Sequence, residues 1–210
     1  MTHRIGILGG AFNPPTLGHI ELAKAVLQSG EVDEIYLNPC TVHSFGKDMV
    51  SYEQRVEMCR LAAEGDMHIS VFQYEGTHDM LSGKSYDFLT SLLGNWRYAG
   101  KSFKFIIGQD NADEIEKWYR YEEVIKMIPF IVVPRKGCGK PKKTWYKEKP
   151  HTFLSRLKNA PQEVSSTEIR TYLSTIHRRF KDLIRRGLTG KIDLGVLDYI
   201  FKQDLYRKSS

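Results

Sequence analysis

The chain has 210 residues, 41% of them hydrophobic and 27% charged, with a formal net charge of +6. This composition excludes a disordered or collagen-like polymer, and the length suffices for one substantial core without disulfide or metal staples. The mild positive excess suits a polyanionic ligand, while Cys40, Cys59 and Cys138 form no CxxC pair and no metal-ligand spacing, which predicts reduced thiols.

In chain order, Arg4 to Leu8 reads as a first strand and Gly18 to Ser29 as a helix with Ile20, Ala23, Val26 and Leu27 on one face. Glu34 to Asn38 is the next strand, ended by Pro39. Ser51 opens a helix with Gln54 three places on, a capping-box spacing, and Val56, Met58, Cys59 and Ala62 form its apolar stripe. His68 to Phe72 is a third strand and Tyr86 to Leu93 a helix. Phe103 to Ile107 and Pro129 to Val133 are two more strands, with helical sequence between them around Asp113 to Met127. The periodicity is lost in Gly, Pro and Lys from Arg135 to Pro150, and Ser165 to Ser210 reads as helical, packed on the sheet's edge.

This alternation predicts an α/β fold, a doubly wound, mainly parallel sheet with helices on both faces and a helical C-terminal part. One domain over 1–210 is expected: an α/β core to 135, a basic loop and short connection over 136–164, and the helical part from 165. Ligands of such sheets bind beyond the carboxyl ends of the strands, so loops after strands should carry the chemistry.

The loop after the first strand is GGAFNPPTLGH. Gly9 and Gly10 remove side chains where backbone amides can approach an anion, and Thr16 and His19 stand at a helix start that favours negative charge. A second helix start, VSSTEIR, has capping-box spacing between Ser165 and Glu168. There the amides of Ser166 and Thr167 face outward, with Arg170 one turn on as a bidentate phosphate clamp. Alone, each reads more readily as a packed or well-capped helix than as a phosphate site. Neither G-x-G-x-x-G nor a Walker A lysine occurs, which disfavours a dehydrogenase or a P-loop ATPase.

Gly10 to His19 resembles the G-x-F-[N/D]-P-x-x-x-G-H signature of the nucleotidyltransferase superfamily related to class I aminoacyl-tRNA synthetases. Thr16-Leu17-Gly18-His19 matches its [H/T]-x-G-H half. VSSTEIR resembles the ISSTxIR motif of nicotinate or nicotinamide mononucleotide adenylyltransferases. That likeness implies a Rossmann-like fold and adenylyl transfer from ATP to a pyridine mononucleotide. ATP would be held by Gly9, Gly10, Ala11, Phe12, Gly18, His19, Arg135, Ser165, Ser166, Thr167 and Arg170, with His19, Thr16 and Arg170 assisting transfer.

The same resemblance places the mononucleotide phosphate near His43 and Lys47, a ribose hydroxyl on Asp110 of Gly108-Gln109-Asp110, and the pyridine ring on Trp118. A cationic pyridinium suits an aromatic face. Ser85-Tyr86 resembles the family's S-Y-T loop, but Asp87 replaces the threonine. A carboxylate there would repel a nicotinate carboxylate and so permit the amide form. Mg2+ is expected through the ATP phosphates, with no protein ligand.

Sibling enzymes share the first motif, among them phosphopantetheine adenylyltransferases and cytidylyltransferases, but fit VSSTEIR and the Asp110 to Trp118 spacing less well. A noncatalytic nucleotide- or nucleic-acid-binding protein is the remote alternative, supported by the basic run to Lys149. No nucleic-acid module is recognisable, so no such partner is expected. A homo-oligomer is left open. No apolar run approaches the ~20 residues of a membrane span, so no membrane partner and a cytoplasmic location are expected.

Overall fold

The computed structural model describes residues 2–43, 46, 48–134, 139–155, 164–176 and 181–207. Strand β1 (Arg4–Gly10) runs into helix α1 (Leu17–Gln28), followed by β2 (Glu34–Pro39), α2 (Tyr52–Ala63) and β3 (Ile69–Val71). After the short α3 (Tyr74–Thr77) and α4 (Ser85–Gly94) come β4 (Ser102–Gly108), α5 (Gln109–Asp113), α6 (Tyr121–Met127), β5 (Phe130–Val133) and β6 (Thr152–Phe153). Helices α7 (Ser166–Thr175), α8 (Lys181–Leu188) and α9 (Leu194–Lys202) complete the described chain.

The strands form one sheet in the order β3-β2-β1-β4-β5-β6, and all five pairings are parallel. The two-residue side-chain period sorts the strands' residues between two cores. Ile5, Ile7, Phe105, Ile107 and Phe130 face α4 and α6, whose Phe88, Leu89 and Val124 cover them. Leu8, Ile35, Leu37, Ile106 and Ile131 face α1 and α2 through Ile20, Ala23, Val26 and Cys59. From β1 the chain proceeds outward through β2 and β3, then crosses back to place β4 on the other side of β1. That reversal leaves a crevice at the carboxyl ends of β1 and β4.

Three expectations need correction. The C-terminal helices do not pack on the sheet's edge. They form a third core with Met58 on the outer side of α2, built from Ile169, Leu173, Ile184, Val196, Leu197 and Ile200. The basic loop and short connection also supply a strand that the sequence reading did not mark: β6 pairs with β5, Tyr146 is fully buried, and its hydroxyl donates to Asp113 Oδ1 at 2.7 Å. Two residues are too few for a strand period to be legible. Finally, the helical stretch after β4 is broken between α5 and α6, where Arg120 adopts φ 52°. Trp118, at φ −82° and ψ 141°, is extended there, which aims it at the crevice.

Candidate active site

The crevice is a cleft of about 350 Å³ lined by Gly9, Gly10, Ala11 and His19 from the first loop, and by Gly108, Asn111 and Trp118 after β4. Both glycines continue β1 without a left-handed φ; the turn is made by Phe12, at φ 47°. Left-handed backbone is costly for a bulky residue. Here burial offsets it, for Phe12 is 1% exposed and its ring lies 5.1 Å from that of His19. A Cβ on Gly10 would meet the Phe12 ring at 3.3 Å, so this glycine makes room for the turn.

His19 is oriented by its own helix cap. Thr16 N–H donates to His19 Nδ1 at 3.0 Å, and the Thr16 hydroxyl lies 2.8 Å from the same nitrogen. With Nδ1 accepting, the neutral ring carries its proton on Nε2 and so offers a donor. Thr16 itself is 2% exposed and absent from the lining. The residue expected to touch phosphate is therefore placed to hold His19.

The second motif meets the first directly. Ser166 Oγ donates to Pro14 O at 2.8 Å and Arg170 Nη1 to Asn13 O at 2.7 Å. Ser165 Oγ accepts from Glu168 N at 3.4 Å, capping α7. Arg170 Nη2 donates to Thr167 Oγ1 at 3.1 Å, so both terminal nitrogens already have protein partners. Arg170 staples the two motifs rather than presenting an open fork, and a phosphate would have to share its remaining N–H groups.

Beneath the loops lies Arg55, 1% exposed. It donates from Nη1 to Ala11 O at 2.9 Å and Cys40 O at 2.6 Å, from Nε to Val50 O at 3.1 Å, and from Nη2 to Thr41 O at 3.3 Å. Nearby, the buried Glu75 accepts from Asn38 Nδ2 at 2.9 Å and Thr41 N at 3.1 Å. Burial raises its pKa above the ordinary carboxyl value, against the pull of these donors and Arg55. Burial also pushes the Cys40 thiol up to about 11, which keeps it protonated.

Of the residues expected around the acceptor, His43, Ser85, Gly108 and Trp118 line the cleft. Trp118 packs edge-on against Phe105 at 6.2 Å. Tyr86, Asp87 and Asp110 are not in the lining; Asn111 lines the cleft, while the neighbouring Asp110 is exposed in α5. The repulsion expected from Asp87 thus has no short-range basis, and Lys84 is the charged residue that reaches the cleft from this segment. Lys47 and Arg135 lie outside the described residues. Among the described residues no group of three or more His, Cys, Asp or Glu side chains is placed to hold a metal ion. None of their helices is long and apolar enough to cross a membrane.

Residues 7–172 match the cytidylyltransferase-like family model, a span that contains both motifs. The chain belongs to this family. It is 35% identical over 205 residues to the "Probable nicotinate-nucleotide adenylyltransferase" of Anaeromyxobacter dehalogenans, covering 97% of this chain and 96% of that protein. A protein of the same name from Pseudothermotoga lettingae is 29% identical over 202 residues, with 94% and 96% covered. Among solved structures, the Plasmodium falciparum nicotinic acid mononucleotide adenylyltransferase complexed with NaAD shares the fold. Its TM-score is 0.75 at 22% identity, covering 97% of each chain.

In this cytidylyltransferase-like cleft, sequence reasoning missed Asn38, Glu75, Lys84 and Tyr119, and beneath it Arg55. One was signalled: Arg55 lies three and four residues before Met58 and Cys59, inside the apolar stripe of α2, where a charge implies a buried network. Glu75 had no local signal.

Proposed function

We propose that the cleft joins the adenylyl group of ATP to a pyridine mononucleotide, nicotinate mononucleotide foremost and the nicotinamide form as its competitor. The products are deamido-NAD or NAD, with pyrophosphate. One observation carries this reading: the Gly10–His19 loop and the start of α7 are joined through Pro14 and Asn13. Two phosphate-favouring helix starts thereby meet at Asn13 and Pro14. The relatives' names support the choice of acceptor.

In this reading a phosphate oxygen of the mononucleotide attacks the α-phosphorus of ATP. The new P–O bond forms as the bond to the bridging β-phosphate oxygen breaks, and pyrophosphate carries away the electron pair. The attacking oxygen is already anionic, so no general base is needed. His19 Nε2–H donates to the α-phosphate, steadying charge that develops in transfer. Thr16 fixes the imidazole's orientation. Backbone amides of the first loop and of Ser166 and Thr167 cradle the phosphates, with Arg170 holding the two segments in register. Trp118 carries the pyridine ring, and His43 serves the acceptor phosphate. Mg2+ enters as part of the substrate MgATP, neutralising its phosphate oxygens.

The test is pyrophosphate release from MgATP with nicotinate mononucleotide, nicotinamide mononucleotide or phosphopantetheine as acceptor. Release with either pyridine mononucleotide is the expected result. Release with phosphopantetheine alone would move the chain to a sibling activity, and steeply salt-dependent nucleic-acid binding without turnover would replace the enzymatic reading altogether.

A further inference from the structure

The acceptor end of the cleft carries one charge that adenylyl transfer does not employ. Lys84 lines the cleft beside Ser85, Trp118 and Tyr119. Its ammonium lies 4.3 Å from the centroid of the Tyr119 ring, and Tyr119 directly follows Trp118. Cation–π attraction therefore pins the charge next to the aromatic platform.

The other cations of this segment have partners. Lys117 lines the same cleft but pairs with Glu114 at 2.8 Å. Arg120 lies over the Tyr86 ring at 4.2 Å and is held by Glu123 at 2.5 Å. Lys84, in contrast, forms no ion pair among the described residues. Glu75 is the sole acidic residue in the described lining, and its burial favours the neutral carboxyl. The local field thus favours an anion on the bound ring.

Nicotinate and nicotinamide mononucleotides differ at that end by one unit of charge. We propose that Lys84 sets the preference for the acid over the amide, by presenting an uncompensated ammonium to the carboxylate of a pyridine ring resting on Trp118. This rests on the pyridine-mononucleotide reading above. An ammonium on a flexible four-carbon stem reaches a carboxylate as a point charge, without a fixed fork geometry. One charge-assisted hydrogen bond at a partly exposed site is worth roughly tenfold in affinity. A neutral carboxamide gains far less from the same contact.

The experiment measures kcat/KM for both mononucleotides in wild-type protein, K84M, K84R and K84E. Taking the acid-to-amide ratio within each variant cancels any loss of folded enzyme. The ratio is expected to fall roughly tenfold in K84M, through KM of the acid form, and further in K84E, while K84R holds the wild-type ratio. The KM of the acid form should rise with salt in the wild type and much less in K84M. A wild type that consumes neither mononucleotide overturns both this inference and the proposed function. Turnover by the wild type with a K84M ratio changed less than about twofold overturns the role of Lys84 alone.

Discussion

Replacing Arg55 with methionine tests whether one buried cation holds the mouth of the cleft together. Arg55 links Ala11 after β1, Cys40 and Thr41 after β2, and Val50 before α2, all through backbone carbonyls. Methionine fills much of the stem's volume but donates to none of them. Three of the four bonds are 3.1 Å or shorter. An unsatisfied buried carbonyl costs about 1 kcal/mol at the low end, so their loss destabilises by about 3 kcal/mol. The fourth bond, at 3.3 Å, adds less. Removing the guanidinium also removes its desolvation cost, which keeps the net loss near that figure. For a chain of this size the melting midpoint should fall by roughly 6 to 12 °C. Urea unfolding followed by circular dichroism measures the loss, and steady-state kinetics should show KM for the mononucleotide rising as the two loops drift. A loss below about 1 kcal/mol would mean that water replaces Arg55 and that the loops hold their places without it.

His19→Ala should lower kcat by about two orders of magnitude, corresponding to ~3 kcal/mol of transition-state stabilisation; an unchanged kcat in folded protein removes His19 from the mechanism. Arg170→Ala should raise KM for ATP about tenfold with a smaller effect on KM for the mononucleotide, because the staple to Asn13 is lost. Normal ATP kinetics would leave Arg170 with a purely local role. Glu75 gives a signed pH test. Its folded pKa is raised above 4.5, so the folded state binds the proton more tightly and the stability Glu75 permits falls as pH climbs through that window. The difference in unfolding free energy between E75Q and wild type should therefore shift toward the variant from about pH 4.5 upward. A difference flat with pH refutes the assignment.

The elements that sequence reading located best are those with a long period or a cap. Ser51 and Gln54 form the reciprocal capping box their spacing foretells, and β1, β2, β4 and β5 lie where short apolar runs place them. The misses share a cause. β6 and the break before α6 are set by contacts from far along the chain: Phe130 N donates to His151 Nδ1, and the Trp145 indole donates to Ala112 O. A two-residue strand and a left-handed Arg120 have no local pattern to betray them.

In the candidate site, Gly9 to His19 and Ser165 to Arg170 were legible as motifs because helix starts need particular residue types at fixed spacings. Their roles were less so. Thr16 and Arg170, expected at phosphate, also hold His19 and Asn13, since nothing in a string of letters shows which group a side chain will meet.

The sequence by itself determined the alternation of strands and helices, the two motif-bearing helix starts, and the aromatic residue after β4. These follow from local periodicity and from which residues can cap or turn a chain. Tertiary structure alone decided that Asn13 and Arg170, 157 positions apart, share a hydrogen bond. It alone put Lys84 rather than Asp87 in the cleft and gave Arg55 its four carbonyls. Those outcomes depend on how β1 and β4 come to lie side by side, and no local propensity encodes a crossing of that length.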